Sequence, residues 1–166
     1  IVQVEGITEG AACTTLLAKE YIDNEDPLVI ANSDQFVEWN SNEVLYAFST
    51  EGVGGGILTF ESTHPKWSFA RTDQNGWVTE VAEKHPISNH ATVGVYYYAH
   101  GSDYVNSAYS MIDKDIRTNN EFYVCPVYNQ FIEAGGKVRI KNIERMWGLG
   151  TPEDLNNFMS NYTGTY

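Results

Sequence analysis

The segment Leu28-Val29-Ile30-Ala31-Asn32-Ser33-Asp34-Gln35 constrains this chain most: an apolar run introduced by Pro27 turns polar and reaches a carboxylate. A short apolar run without polar alternation, bounded by turn residues, reads as a strand covered on both faces. In open α/β sheets ligands bind in the crevice outside the carboxyl ends of the strands, so Asp34 stands where such a fold does its chemistry. The position equally suits an Asp that caps the turn after the strand with its own nearby backbone N–H groups. On position alone both readings stand.

Strand-like and helix-like segments alternate along the rest of the chain, which argues for an α/β layer architecture in a single domain over 1–166. Helix spacing puts Cys13, Leu16, Leu17 and Tyr21 on one face of a helix over 11–22. Asn40 and Glu43 form a capping box before Val44, Leu45 and Phe48, and Ser102 caps a helix whose stripe is Val105, Ala108 and Ile112. Thr151-Pro152-Glu153-Asp154 is a helix start, with Leu155, Phe158 and Met159 pointing inward. Strands are expected at 1–4, 28–33, 56–60, 69–72, 77–83, 92–99 and 138–143, with Asn75-Gly76 turning a hairpin. The glycine cluster at 52–56 has no Lys or Arg beside it and reads as a strand-entry turn rather than a phosphate cradle.

Composition narrows the function classes. With 166 residues, 42% of them hydrophobic, the chain can fill one core. Its net charge of −12 argues against nucleic acid, which needs a basic footprint. A few lysines in a cleft can still reverse the local sign for a small anion. No apolar run approaches the roughly 20 residues of a membrane span. Cys13 and Cys125 sit in apolar segments without metal-ligand spacing and read as reduced packing residues of a cytoplasmic protein. The four histidines show no H-x-x-x-H pairing, so zinc is not expected.

Four segments in order carry a resemblance: Thr8-Glu9-Gly10-Ala11-Ala12-Cys13-Thr14-Thr15-Leu16-Leu17-Ala18, the strand ending at Asp34, Glu80-Val81-Ala82-Glu83-Lys84, and Met146-Trp147-Gly148-Leu149-Gly150-Thr151-Pro152-Glu153-Asp154-Leu155. Together they resemble the sugar-phosphate nucleotidylyltransferases, with the capsule and lipopolysaccharide branch the most similar. The resemblance implies a three-layer α/β fold with a mostly parallel mixed sheet, like that of nucleotide-diphospho-sugar transferases. It also implies a reaction in which a sugar 1-phosphate attacks the α-phosphorus of a nucleoside triphosphate and pyrophosphate leaves. Magnesium would be held by Asp34, and Asp34 and Lys84 would be the catalytic pair. Substrate binding would fall to Gly10, Gln35, Ser68, Glu83, Lys84 and Gly94, with Glu83 on sugar hydroxyls, Lys84 on the sugar phosphate and Trp67 as a pocket wall.

The sequence also departs from that family. The family's opening strand and G-x-G-x-R loop have no counterpart, so the chain reads as truncated at its N-terminus, with an exposed sheet edge expected to drive homodimerisation or other self-association. Gly148 stands where many relatives carry a second metal-binding Asp, leaving Glu144 and Glu121 as substitutes. A non-catalytic module binding sugar phosphates or nucleotide sugars is therefore a second reading. A metal-dependent glycosyltransferase is a weaker third, because Asp34-Gln35-Phe36 breaks the D-x-D pattern.

Overall fold

The computed structural model describes residues 1–164. Its elements are α1 (Ala11–Leu16), α2 (Lys19–Ile22), β1 (Leu28–Ala31), β2 (Gln35–Glu38), α3 (Ser41–Thr50), β3 (Gly55–Glu61), β4 (Ser68–Thr72), β5 (Val78–Glu83), β6 (His90–Tyr98), α4 (Gly101–Asp113), α5 (Val127–Glu133), β7 (Val138–Asn142), β8 (Arg145–Gly148) and α6 (Pro152–Asn161). Six strands form the main sheet in the order β5-β4-β6-β3-β7, with β1 also on β6, and β2 pairs β8 in a separate ribbon.

The expected mixed α/β sheet is present, but four of the five pairings among its described strands are antiparallel. β1, β3, β4 and β7 all run in one direction, yet only β3 and β7 form a parallel ladder. The long strand β6 runs the other way between its neighbours and makes each of its own pairings antiparallel.

β6 is the spine because its sequence suits burial on both sides. Tyr96 and Tyr98 enter one apolar cluster with Tyr104, Met111 and Tyr128, while Val93, Val95 and Tyr97 enter another with Phe48 and Leu58. Helices α4 and α5 thus cover one face, and α3 with the β2–β8 ribbon covers the other, which gives three layers. Rings of Tyr98 and Tyr128 stack at 4.6 Å, and the single proton of the Tyr128 hydroxyl is shared between the carbonyls of Gly56 (2.9 Å) and Tyr97 (2.8 Å). A buried ring with a satisfied hydroxyl ties helix to sheet without leaving a polar group stranded.

Two features of β6 shape the site. Against β3 the register steps from Ile57↔Tyr96 to Thr59↔Thr92, a bulge accommodated at Gly94 with φ +83°. On its other edge β6 is forked: β4 pairs at Ala91 and β1 from Val95 to Tyr98, with the Asn32 amide donating to the Gly94 carbonyl at 2.9 Å. The carboxyl end of β1 and the amino end of β4 therefore face each other across an unpaired gap.

Several local expectations need correction. Residues 1–4 form no strand; Ile1, Val2 and Val4 are exposed and lie in no ladder among the described residues, so their backbone is left to solvent. The helix over 11–22 breaks at Leu17–Ala18 into two short pieces, leaving Leu17 and Tyr21 exposed. Thr14 and Thr15 hydroxyls donate to the Gly10 and Ala12 carbonyls, a local competition that works against continuing the helix. His100, not Ser102, stands at the cap of α4. The α6 start is as read, with the Thr151 side chain accepting from the Asp154 amide at 3.1 Å. Of its three apolar residues only Phe158 turns inward, against Phe36 and Trp147, while Leu155 and Met159 stay exposed. The Asn40 cap accepts from the Glu43 amide at 3.2 Å, and the Asn75-Gly76 hairpin joins β4 to β5.

Candidate functional site

The fork in β6 opens into two adjoining clefts that share Asn32, Lys66 and Trp67. The inner one, about 200 Å³, has a floor made of Ser68, Glu83, Thr92, Gly94, Tyr96 and Cys125. That is below the roughly 300–1,000 Å³ of drug-sized sites and suits a single sugar ring. The outer one, about 470 Å³, is bounded by Asp34, Gln35, Lys84, Gly148, Thr151 and Asp154.

Glu83 ends β5 opposite Ser68 in the β4–β5 hairpin, so the two side chains meet by register. Ser68 Oγ donates to Glu83 Oε2 at 2.5 Å. Burial raises the Glu83 carboxyl above its ordinary value, opposed by the Ser68 hydrogen bond and the charge of Lys84. The Thr92 and Tyr96 hydroxyls lie 3.1 Å apart in the same buried floor, and burial pushes the Tyr96 phenol and the Cys125 thiol up. The floor therefore presents neutral hydroxyl-sized groups around one carboxylate.

Lys84 follows in the left-handed region, φ 54°, its amide donating to the Trp67 carbonyl at 3.0 Å. Its ammonium donates to the Tyr123 hydroxyl at 2.8 Å and lies 4.7 Å from that ring. The Tyr123 hydrogen bond raises the Lys84 pKa, so the group is cationic throughout the physiological range. Lys66, by contrast, pairs with Asp154 at 3.2 Å and lies over the Trp67 ring at 4.5 Å.

Asp34 lies in the bend between β1 and β2. Its carbonyl accepts from the Leu149 amide at 2.8 Å, which ties the end of β1 to the chain leaving β8. Its carboxylate takes part in no hydrogen bond among the described residues, so the turn-capping role is not the one the structure gives it. A Cβ at Gly150 would stand 2.6 Å from Asp34 Oδ2, so only glycine there leaves the carboxylate its place.

The expected residues are thus gathered with one exception. Asp34, Gln35 and Lys84 line the outer cleft, and Ser68, Glu83 and Gly94 the inner one, with Trp67 in both. Gly10 lines neither: its φ of +127° and a Cβ position 2.5 Å from the Phe122 carbonyl oxygen make it a packing glycine at the entry to α1. Neither Glu144 nor Glu121 reaches the clefts; the carboxylate that joins Asp34 there is Asp154. Asn32, Lys66, Tyr123 and Asp154 were not singled out from the sequence. Asp154 was visible only as a first-turn acid, and Tyr123 lies in an ordinary apolar stretch.

Among the described residues no group of three or more His, Cys, Asp or Glu side chains is arranged to hold a metal. The outer cleft still fits magnesium chemically, since that ion takes one or two carboxylates and fills its remaining positions with water and phosphate oxygens. Asp34, exposed and without a hydrogen-bond partner of its own, meets that requirement. No helix among the described residues is long and apolar enough to cross a membrane.

A forked, bulged sheet strand leaves a polar cleft at the carboxyl end of its neighbour, the place where open α/β sheets take small molecules, and the fold as a whole is shared with two solved structures. The chain is similar to a nucleoside-diphosphate-sugar pyrophosphorylase from Vibrio cholerae RC9, with a TM-score of 0.80 at 24% identity over 95% of this chain and 68% of that one. It is also similar to a Bacillus anthracis protein described as a glucose-1-phosphate thymidylyltransferase in complex with sucrose, with a TM-score of 0.74 at 18% identity over 99% of this chain and 66% of that one. This chain spans about two thirds of the length of each. No protein-family model and no curated protein matches it.

Proposed function

We propose that this chain carries the sugar-phosphate site of a nucleotidylyltransferase, which joins a sugar 1-phosphate to a nucleoside triphosphate with release of pyrophosphate. The observation that carries this reading is the placement of Glu83 and Lys84. One half-buried carboxylate stands in a sugar-sized polar floor, and the next residue, which lines the larger cleft, holds its ammonium on the Tyr123 hydroxyl with no carboxylate in ion-pair contact among the described residues. A hydroxyl-rich ring and an adjacent phosphate need those two groups in that order.

In this mechanism Glu83 accepts hydrogen bonds from ring hydroxyls, and Ser68, Thr92 and Tyr96 complete the floor. Gly94 leaves the backbone open to the ring, because any side chain there would collide with Asn32 and meet Gln35. Lys84, pre-set by its backbone and by Tyr123, orients the phosphate oxygen that attacks. Asp34, with Asp154 nearby in the same cleft, would hold Mg2+, which neutralises charge on the phosphates when bound. The similarity in fold to a pyrophosphorylase and a thymidylyltransferase supports the same reading.

The reading extends to a cytoplasmic role in polysaccharide or nucleotide-sugar biosynthesis. It also includes self-association through β1, whose only partner among the described strands is β6 and whose Val29 is exposed. Sedimentation that finds only dilute monomer rules out the latter.

The decisive experiment is calorimetric titration with glucose 1-phosphate, paired with an assay of pyrophosphate release from nucleoside triphosphates. Binding that Glu83→Gln and Lys84→Met each weaken, together with release, supports the enzyme. Binding without release selects the non-catalytic module. No binding of any sugar 1-phosphate overturns the reading.

A further inference from the structure

Lys66 is the cation the proposed reaction has not used, although it lines both clefts. It lies in the connection between β3 and β4, immediately before Trp67 and Ser68, and its ammonium is held on two sides. Asp154 Oδ1 accepts from it at 3.2 Å, and the Trp67 ring lies 4.5 Å away. Asp154 is itself anchored: its Oδ2 accepts from the Thr151 hydroxyl at 2.8 Å while its amide donates back to that oxygen at 3.1 Å. The carboxylate is thus tied to its own helix turn, whereas the lysine ammonium is held only by Asp154 and the Trp67 ring.

The pair also spans the mouth of the site, tying the β3–β4 connection to the first turn of α6. Both side chains remain partly exposed, at 45% for Lys66 and 28% for Asp154. An ion pair at that exposure adds little to stability, so giving it up costs little. A phosphate dianion in the outer cleft offers more: doubled charge and three acceptor oxygens, against one carboxylate oxygen. The four-carbon stem of lysine lets the ammonium, now over the Trp67 ring and beside Asp154, swing to a new partner.

We propose that Lys66 is a second phosphate-binding side chain, released from Asp154 when the phosphate of a sugar phosphate enters the outer cleft, so that the Lys66–Asp154 pair acts as an exchangeable clasp across the site mouth. The inference rests on the sugar-phosphate reading given above. It separates the two lysines by role. Lys84 is pre-set for the anion by Tyr123, whereas Lys66 is lent to Asp154 until the anion arrives.

The test uses the chain as it stands, with glucose 1-phosphate as the probe, glucose as the uncharged control, and calorimetry or ligand-observed NMR as the readout. Lys66→Met keeps the stem and removes the charge; it is expected to weaken glucose 1-phosphate binding about tenfold, with Lys66→Arg restoring most of it. Asp154→Asn keeps the helix-cap acceptor and frees the lysine; it is expected to tighten binding about threefold, and that gain disappears in the Lys66→Met background. A purely structural pair would give losses for both variants, and that result overturns the clasp. Unchanged binding in Lys66→Met, with binding lost in Lys84→Met, overturns it too while leaving the sugar-phosphate reading in place. If the unaltered chain binds no glucose 1-phosphate, both fall together.

Discussion

The two sides of the cleft are built differently. The inner side is the main sheet, where β6 is buried from Ala91 to Tyr98 and both faces are filled by aromatic and branched side chains. The outer side is the β2–β8 ribbon with α6, which contains no buried residue in any of its three elements. Ser68, Glu83 and Gly94 stand on the first, and Asp34, Gly150 and Asp154 on the second. Elements with little buried apolar surface open at low free-energy cost, whereas core strands open only with global unfolding. The inner floor is therefore a rigid template, and the ribbon with α6 is the side that opens more readily.

The largest effect that would sharpen this contrast is Tyr128→Ala. It removes a fully buried ring that bonds two strands, and the expected cost is about 3–5 kcal/mol of global stability, read from chemical denaturation. Gly94→Ala comes next. A left-handed residue whose Cβ would collide with Asn32 should cost about 1–3 kcal/mol and also close the inner cleft, measured as joint loss of Tm and of glucose 1-phosphate binding. Thr151→Ala removes the α6 cap, worth about 1 kcal/mol. Hydrogen exchange should speed up in α6 and β8 while the main sheet keeps its protection, and equal acceleration in both would break the comparison.

The smallest effect is a gain. Glu83 has its carboxyl raised above the ordinary value by burial, so the folded state holds that proton more tightly than the unfolded one. Stability from this group is fully present below the unfolded carboxylate value and is lost as pH rises through the higher folded value. Glu83→Gln should therefore raise Tm slightly at neutral pH, flatten the fall in stability across that window, and weaken sugar-phosphate binding. A lower Tm at pH 7.5 would show that the ionised carboxylate stabilises the floor.

Much of the rigid side could be read from the sequence, because unbroken apolar runs and an Asn-Gly turn act through local physics. The strands around 28–33, 56–60 and 92–99 appear within a residue or two of their places. β1 is nonetheless not covered on both faces as its apolar run suggests: it pairs only with β6 among the described strands, and Val29 and Ala31 are exposed. The ribbon could not be read that way. β2 and β8 are four residues each and find one another across more than a hundred positions, a pairing no local pattern encodes. The same holds within the site. Asp34 is legible from its strand end and Glu83 through the resemblance, but Tyr123 reaches Lys84 only through tertiary packing. Leu155 and Met159 mislead for a related reason: helical periodicity marks an apolar face without saying whether anything covers it.

The fork in β6 has a consequence for how such a site can diversify. The opening between β1 and β4 is framed by main-chain pairings, at Ala91 on one side and from the Gly94 carbonyl onward on the other, rather than by the bulk of particular side chains. Replacing a wall residue alters what the notch recognises and leaves its existence untouched. Ligand preference can thus drift one amino acid at a time on a doorway inherited with the topology itself.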